Sequence, residues 1–281
     1  MSADTRATVR LLHMMARSGG TIIAKCLGVM PGVVMLSEVH PSVPDLMHTP
    51  PTKKNKNALA VLWSFDPLRQ ADQWYGLLTD EDKDQVRASR RTMPFDESIA
   101  MIERRARERG LSLIVRDWSH LDFLGEPFNP NPPGRFAVVE SLGPRFRLAR
   151  AISVRHPIDQ WLSMRNLPML REEIALEAYL AGCRKFAQEA VKLGFVRFED
   201  FAADPQRHVR TLCEKLEIAF DPSFEQRWSS YKTITGDVGG SRGQDRISLP
   251  PRRTIDAGLL DRFAASADYR ATIELLGYSH P

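Results

Sequence analysis

The sequence predicts an α/β protein in which a mostly parallel sheet is covered by helices on both faces. Short apolar runs rich in β-branched residues, such as residues 33–36, alternate with longer segments whose apolar residues recur at helical spacing. Strands that alternate with helices in this way favour a parallel sheet between helical layers. Polar and basic residues follow several of the predicted strands, at the sheet edge where such folds bind ligands.

Each predicted element follows from its own pattern and its boundary residues. The strands are short apolar runs flanked by glycine, proline or polar residues, and they cover residues 7–13, 33–36, 111–115, 147–154 and 195–198. The helices are amphipathic segments, and they cover residues 21–30, 58–78, 96–109, 172–192, 205–216 and 259–276. A further helix is expected to begin at Pro157, because proline is favoured at the first helical position.

Size and composition are those of a globular domain. The chain has 281 residues, of which 43% are hydrophobic and 26% charged, so we expect a single domain over residues 1–281. The formal net charge of +4 fits an anionic ligand. No nucleic acid partner is expected, because the lysines and arginines do not form one long block.

The spacing of the cysteines and the hydropathy of the chain predict the cellular location of the protein. The three cysteines, Cys26, Cys183 and Cys213, lie far apart and outside any Cys-x-x-Cys spacing. A disulfide scaffold and a zinc site are both disfavoured, and a reducing cytoplasm is the expected location. No apolar run approaches the ~20 residues that a membrane-spanning helix needs, so we expect no membrane span.

The segment between the first strand and the first helix has the composition of a phosphate-binding loop. Gly19 and Gly20 allow the backbone to curl around a tetrahedral anion, Arg17 supplies charge, and Ser18 and Thr21 supply hydroxyl groups. The amino terminus of the following helix favours negative charge. An ordinary glycine-containing turn is the alternative interpretation.

This loop is not a Walker A motif. That motif places lysine directly before the Ser or Thr, whereas Gly20 precedes Thr21 here. Lys25 lies a turn into the helix; it and Lys232 could approach a phosphate or be exposed. Without the Walker arrangement of hydroxyl and metal, we expect no metal ion.

A second cradle is predicted at the end of the strand over residues 147–154. Arg155 follows that strand, and Ser163 lies eight residues later, about two turns into the next helix. The guanidinium and the hydroxyl could hold a second phosphate at the helix entrance. Alternatively, Arg155 pairs with Asp159 on the first turn. Two cradles in one chain suggest a nucleotide that carries two separated phosphate groups.

These segments resemble the sulfotransferases that use 3′-phosphoadenosine 5′-phosphosulfate (PAPS). Residues 17–21 resemble that family's 5′-phosphosulfate loop, and Arg155 with Ser163 resembles its 3′-phosphate motif. Residues 196–205 resemble its downstream strand-turn-helix block, and residues 239–253 its basic carboxyl-terminal loop, which contains Arg242 and Arg252.

The resemblance implies a three-layer α/β/α fold related to the P-loop kinases, with PAPS as co-substrate. Residues 41–145 are weakly matched and are expected to form a variable acceptor side. Arg17 stands where small-molecule sulfotransferases usually have lysine, which is more similar to the tyrosylprotein, Golgi carbohydrate and many bacterial forms. In-line transfer would need Arg17 and the loop N–H groups to stabilise the leaving 5′-phosphate.

The resemblance also suggests the catalytic base. Glu38 falls where tyrosylprotein-like forms place a glutamate after the second strand, and His40 is the second candidate. Asp117 and His120 are weaker candidates at the same sheet edge. The alternative for Glu38 is a capping role or an ion pair with Arg17.

Two other function classes remain open at this point. A nucleotide or small-molecule kinase would share the fold, and a catalytically silent protein would bind nucleotide without transferring a group. Nothing in residues 41–145 distinguishes a small-molecule acceptor from a glycan or a peptide, and the oligomeric state is not encoded in any pattern we identify.

Overall fold

A computed structural model of the chain describes residues 5–47, 62–89, 93–129, 131–167, 174–237 and 246–281. Its five strands are β1 (Thr8–His13), β2 (Val33–Val39), β3 (Ser112–Asp117), β4 (Arg147–Val154) and β5 (Val196–Arg197). They form one sheet in the order β2-β3-β1-β4-β5, and every neighbouring pair is parallel. The predicted parallel sheet is confirmed.

The α-helices of the described ranges surround this sheet. They are α1 (Gly20–Gly28), α2 (Val43–Met47), α3 (Pro67–Tyr75), α4 (Asp80–Ala88), α5 (Phe95–Glu108), α6 (Ser119–Phe123), α7 (Ala137–Leu142), α8 (Pro157–Met164), α9 (Leu176–Leu193), α10 (Phe198–Ala203), α11 (Pro205–Lys215), α12 (Ala257–Ala265) and α13 (Ala267–Leu276). Short 3₁₀ turns lie at Leu62–Phe65, Pro222–Gln226 and Trp228–Ser230. Within these ranges no helix combines the length and apolar character needed to cross a bilayer.

Alternating side chains of the central strands supply two separate cores. Leu11 of β1 and Val115 of β3 belong to one core, whereas their neighbours Leu12 and Ile114 belong to the other. Because successive strand residues point to opposite faces, one apolar run fills both cores. Helices α5, α9 and α13 cover the first face, and α1 and α11 cover the second. The result is the predicted three-layer α/β/α arrangement.

The strand order places the predicted loop at the middle of the sheet. The chain leaves β1 toward β2 at one edge, and β4 later adds to the other side of β1. In such sheets the crevice beyond the carboxyl ends, where the direction of winding reverses, is the usual ligand site. β4 pairs with β1 up to His13 and continues to Val154, so Arg155 emerges beside the loop that follows β1.

Several elements differ from the sequence predictions. The strand expected over 195–198 is only Val196–Arg197, because Phe198 already begins α10. The closing helical segment over 259–276 is two helices, since the Ser266 hydroxyl caps α13 by accepting from the Tyr269 N–H. Helix α4 was not predicted because it carries little apolar periodicity; a reciprocal capping box between Thr79 and Asp82 starts it.

Candidate active site

The loop after β1 is shaped by two left-handed residues, Arg17 (φ 64°) and Gly19 (φ 85°). Gly19 precedes α1 and provides no capping side chain, and the first N–H groups of a helix lack acceptors within the helix. A Cβ at Gly19 would lie 2.1 Å from the Phe198 ring, so glycine is required there by both backbone angle and space. These features are those of an anion-binding helix terminus.

Ser18, in the same loop after β1, and Thr21, in the first turn of α1, are buried. The Ser18 hydroxyl donates to the Met15 carbonyl at 2.8 Å. A Cβ at Gly20 would lie 1.8 Å from the Met14 sulfur, so the backbone approaches its neighbours closely here as well.

The two predicted phosphate cradles are in direct contact. Arg17 Nε donates to Ser163 Oγ at 2.9 Å, and Arg155 Nη1 donates to the Arg17 carbonyl at 3.2 Å. Gln160 of α8 adds a third connection, because its side-chain amide donates to the Ala16 carbonyl at 2.7 Å. The loop after β1 and the entrance of α8 are therefore joined by hydrogen bonds that bring Arg17, Arg155 and the buried Ser163 hydroxyl together.

The Arg155 guanidinium is partly buried beside the Phe198 ring. Burial lowers the pKa of its guanidinium, Nε is buried without a hydrogen-bond partner, and the group lies 5.2 Å from the centre of the Phe198 ring. Among the residues described, no carboxylate forms an ion pair with Arg155. Asp159, the alternative partner considered above, instead holds Arg252 through two hydrogen bonds of 2.9 and 2.8 Å.

The basic carboxyl-terminal loop is only partly within the described ranges. Arg252 lies near the Arg155 corner through its contact with Asp159, which also raises the pKa of Arg252. Arg242 and residues 239–241 lie outside the described residues, so their predicted role stays a prediction.

Glu38 is held at the same end of the sheet in an unusual backbone conformation. It has a φ of 56°, and the pairing of β2 with β3 shifts register between Ser37 and Val39. Such a bulge re-aims a side chain that regular pleating would place elsewhere. Glu38 Oε1 accepts from Arg116 Nη2 at 3.1 Å, and Oε2 accepts from Thr235 Oγ1 at 2.6 Å. The ion pair shown for Glu38 is thus with Arg116 rather than Arg17.

The imidazole of His40 is engaged at both nitrogens. Nδ1 accepts from the Ser42 N–H at 3.1 Å, so the proton lies on Nε2, which faces Asp122 Oδ1 at 3.1 Å. Both side chains are buried, and burial raises the pKa of Asp122.

Asp117 and His120 are buried within the same region. Asp117 contacts His13 Nδ1 at 2.7 Å and accepts from Ser119 Oγ at 2.6 Å. His120 lies 2.7 Å from the Glu126 carbonyl through Nε2, and burial lowers its pKa. Of the four acid–base candidates, Glu38 is the most exposed, with 18% of its side chain accessible.

The two lysines considered for phosphate binding are in different situations. Lys25 is fully buried, and its ammonium lies 2.5 Å from Asp237 Oδ2. Lys232 is exposed. Within the described ranges no group of three or more His, Cys, Asp or Glu side chains is arranged to hold a metal ion.

Three residues that contact the candidate site residues and their loops were not predicted from the sequence: Arg116, Gln160 and Thr235. Arg116 had a usable signal, because an arginine inside a buried apolar strand is rare without a partner. Gln160 and Thr235 had none, since each contacts a segment more than 100 positions away in the chain.

Comparison with known proteins supports the fold. No family model and no curated protein matches the chain. The sulfotransferase domain of the olefin synthase from Synechococcus PCC 7002 superimposes with a TM-score of 0.61 over 100% of this chain and 98% of that domain, at 18% identity. The chain has the fold of a sulfotransferase domain. A sulfotransferase from Alicyclobacillus acidocaldarius is more distant, with a TM-score of 0.46 over 98% of both chains and 13% identity.

Proposed function

We propose that this protein transfers a sulfuryl group from PAPS to an acceptor hydroxyl or amine. The observation that carries the proposal is the contact between the two basic cradles, in which Arg17 Nε donates to Ser163 Oγ at 2.9 Å. One nucleotide with phosphates at both ends could bridge them, and Glu38 lies at the same sheet edge. The sulfotransferase fold supports the same interpretation.

The loop after β1 would bind the 5′ end of the donor. Arg17 and the N–H groups of Gly19, Gly20 and Thr21 lie at the amino terminus of α1, and the Ser18 hydroxyl holds the loop through its hydrogen bond to the Met15 carbonyl. These donors would stabilise the negative charge that grows on the leaving 5′-phosphate. Lys25, paired with Asp237, does not take the place of a Walker lysine in this proposal.

The corner formed by Arg155 and Ser163 would bind the 3′-phosphate. A phosphate would give the Arg155 guanidinium a directly hydrogen-bonded anion, and it would offset the burial that lowers the pKa of Arg155 against the opposing effect of Asp159 and Glu199. Arg252 lies nearby through Asp159, and Arg242 is proposed to join it from the loop over residues 239–245.

Glu38 would act as the base, in preference to His40, whose two nitrogens are already engaged. As the acceptor oxygen forms its bond to sulfur, Glu38 takes the proton from that oxygen. The bond between sulfur and the bridging oxygen breaks, and that oxygen keeps the electron pair as adenosine 3′,5′-bisphosphate leaves. Acceptor, sulfur and leaving oxygen need an in-line arrangement.

Ligand-dependent thermal unfolding tests the donor site. We expect adenosine 3′,5′-bisphosphate to raise the Tm, since a ligand at 100 times its Kd stabilises the folded state by about 2.7 kcal/mol. Stabilisation by ATP with Mg²⁺ but not by the bisphosphate would instead support a kinase.

A transfer screen with ³⁵S-labelled PAPS over phenols, sugars and peptides tests the reaction. We expect Glu38→Gln to lower kcat by roughly 10²- to 10⁴-fold with bisphosphate affinity retained, because it removes the proton acceptor. Arg155→Ala is the matched control: it should weaken bisphosphate binding about 10- to 150-fold through a lost charge-assisted hydrogen bond. A protein that binds the bisphosphate but transfers no label to any acceptor would be a silent binder.

A further inference from the structure

A segment far from Glu38 in the sequence crosses over the candidate active site. Residues 231–237, which we call the strap, follow the last 3₁₀ turn at Trp228–Ser230. The strap is tied down at both ends: Tyr231 Oη lies 2.7 Å from Tyr75 Oη, and Asp237 pairs with the buried Lys25 of α1. It is therefore anchored independently of Glu38.

The middle of the strap contacts both the donor loop and the candidate base. Gly236 has a φ of 77°, and a Cβ there would lie 3.4 Å from Glu38 Oε1 and 3.5 Å from Thr21 Oγ1. Thr235 is buried and reaches Ser37 and Glu38 at the end of β2. The strap thus spans the distance between the proposed 5′-phosphate site and the proposed base.

The hydrogen bonds around Thr235 have only one consistent direction. Ser37 Oγ accepts from Arg116 Nη1 at 3.0 Å and from the Thr235 N–H at 3.2 Å, which occupies both of its lone pairs. Its own proton must therefore go to Thr235 Oγ1, 2.8 Å away. Thr235 then has one proton left, and it points to Glu38 Oε2 at 2.6 Å.

This chain of donors fixes the carboxylate of Glu38 in one orientation. Thr235 occupies one site on Oε2, and Arg116 Nη2 occupies one site on Oε1 at 3.1 Å. An ionised carboxylate offers about four acceptor sites, so about two remain for the proton of an acceptor hydroxyl.

We propose that Thr235 is a positioning residue that holds the Glu38 carboxyl group in one orientation at the end of β2; this inference rests on the proposed function. The relay Ser37–Thr235–Glu38 delivers a hydrogen bond that needs a hydroxyl at position 235 and tolerates no apolar replacement. Arg116 donates to Ser37 Oγ, at the start of the relay, and also to Glu38 Oε1.

The test is a set of variants at position 235, assayed with the panel acceptor that the wild-type protein turns over fastest. Thr235→Val keeps the side-chain shape but removes the hydroxyl, and we expect kcat to fall about 10- to 100-fold, the cost of a misplaced catalytic group. The KM for the acceptor and the affinity for adenosine 3′,5′-bisphosphate should stay within about 2-fold, because the proposal gives Thr235 a role in orienting Glu38 and none in binding either ligand. Thr235→Ser restores the hydroxyl and should restore kcat.

A double-mutant cycle tests whether Thr235 acts on the reaction through Glu38. If Thr235 acts through Glu38, Glu38→Gln combined with Thr235→Val should be no slower than Glu38→Gln alone. If Thr235→Val does not fold, Thr235→Cys replaces it, since its thiol is of similar size and only a weak donor.

Three results would overturn the inference. They are a Thr235→Val enzyme with wild-type kcat, a Thr235→Ser enzyme as slow as Thr235→Val, and multiplicative effects in the double variant. If the wild-type protein is stabilised by the bisphosphate but transfers no label, the proposed function and this inference are both wrong. If the wild-type protein transfers label and one of the three results above is found, only this inference is wrong.

Discussion

Left-handed backbone at non-glycine residues marks the candidate site at the scale of single residues. In the described part of the chain only Arg17, Glu38 and Glu217 have a positive φ without being glycine. Such a conformation costs roughly 1–2 kcal/mol per residue and persists where the surroundings enforce it. Two of the three are the proposed phosphate ligand and the proposed base. Glu217, by contrast, pairs with Arg147 at the opposite end of β4.

Gly19 should be the most sensitive glycine of the loop. Gly19→Ala would put a Cβ 2.1 Å from the Phe198 ring, which itself packs against Arg155. We expect it to abolish detectable binding of adenosine 3′,5′-bisphosphate, measured by calorimetry. Gly110→Ala is the control: Gly110 has a similar φ of 69° but no atom within 4 Å of the added Cβ.

Denaturant unfolding of both variants distinguishes the strain of a left-handed backbone from the steric clash with the Phe198 ring. Each should lose about 1–2 kcal/mol of unfolding free energy from the left-handed backbone, and Gly19→Ala should lose more because the ring must move. Gly110→Ala should bind the bisphosphate like the wild type. Normal binding by Gly19→Ala would contradict the assignment of the donor loop.

At the scale of elements, the ion pair between Lys25 and Asp237 connects α1 to the strap. Lys25 is fully buried and only 7% of the Asp237 side chain is exposed. Removing one partner of a buried pair leaves the other charge uncompensated, at a cost of about 3–5 kcal/mol. We therefore expect Asp237→Ala to lower the unfolding free energy by that amount in denaturant titrations.

Two further variants control that prediction. Asp268→Ala breaks an exposed pair with Arg184 and should cost at most about 1 kcal/mol. Lys25→Met combined with Asp237→Leu removes both charges and should recover most of the lost stability. If Asp237→Ala were no more damaging than Asp268→Ala, the strap would not be anchored through Lys25.

The sequence predicts local elements well and contacts between distant segments poorly. β4 was predicted with its observed bounds, and Pro157 begins α8 as expected, because apolar patterning and proline act over a few residues. The bond from Thr235 to Glu38 joins residues 197 positions apart, which no local pattern encodes. The placement of Arg155 beside Arg17 was accessible only through the rule that parallel strands end at one edge.

At the scale of the whole molecule, the fold brings two segments with separately predicted roles into contact. Arg17 and Arg155 lie on loops that follow the neighbouring strands β1 and β4, so their contact is a consequence of the strand order. The expectation that residues 1–281 form one domain, and the roles of Arg242 and of residues 41–145 as an acceptor side, remain predictions.

Two buried histidines should make the stability of the whole molecule depend on pH. Burial lowers the pKa of both His120 and His156, so in the folded state they stay neutral at pH values where the unfolded chain, with a histidine pKa near 6.5, takes up protons. The unfolded state then binds more protons, and the unfolding free energy falls as the pH drops below about 6.5. The pKa of Asp82 is lowered to about 2, so the stability that it contributes is lost only at much lower pH.

Comparison of the wild type with His120→Gln isolates one of these contributions. Glutamine can keep the hydrogen bond to the Glu126 carbonyl but cannot be protonated. At pH 8 the variant shows only the packing cost, because histidine is neutral in both states. At pH 5.5 the wild type should have lost up to about 1.4 kcal/mol through His120 and the variant none, so the difference between them should shrink by that amount. Because the pKa of Asp122 is raised by burial, its contribution has the opposite sign, but it is present in both proteins and cancels in the difference. A difference that is constant from pH 8 to pH 5.5 would show that His120 titrates alike in both states.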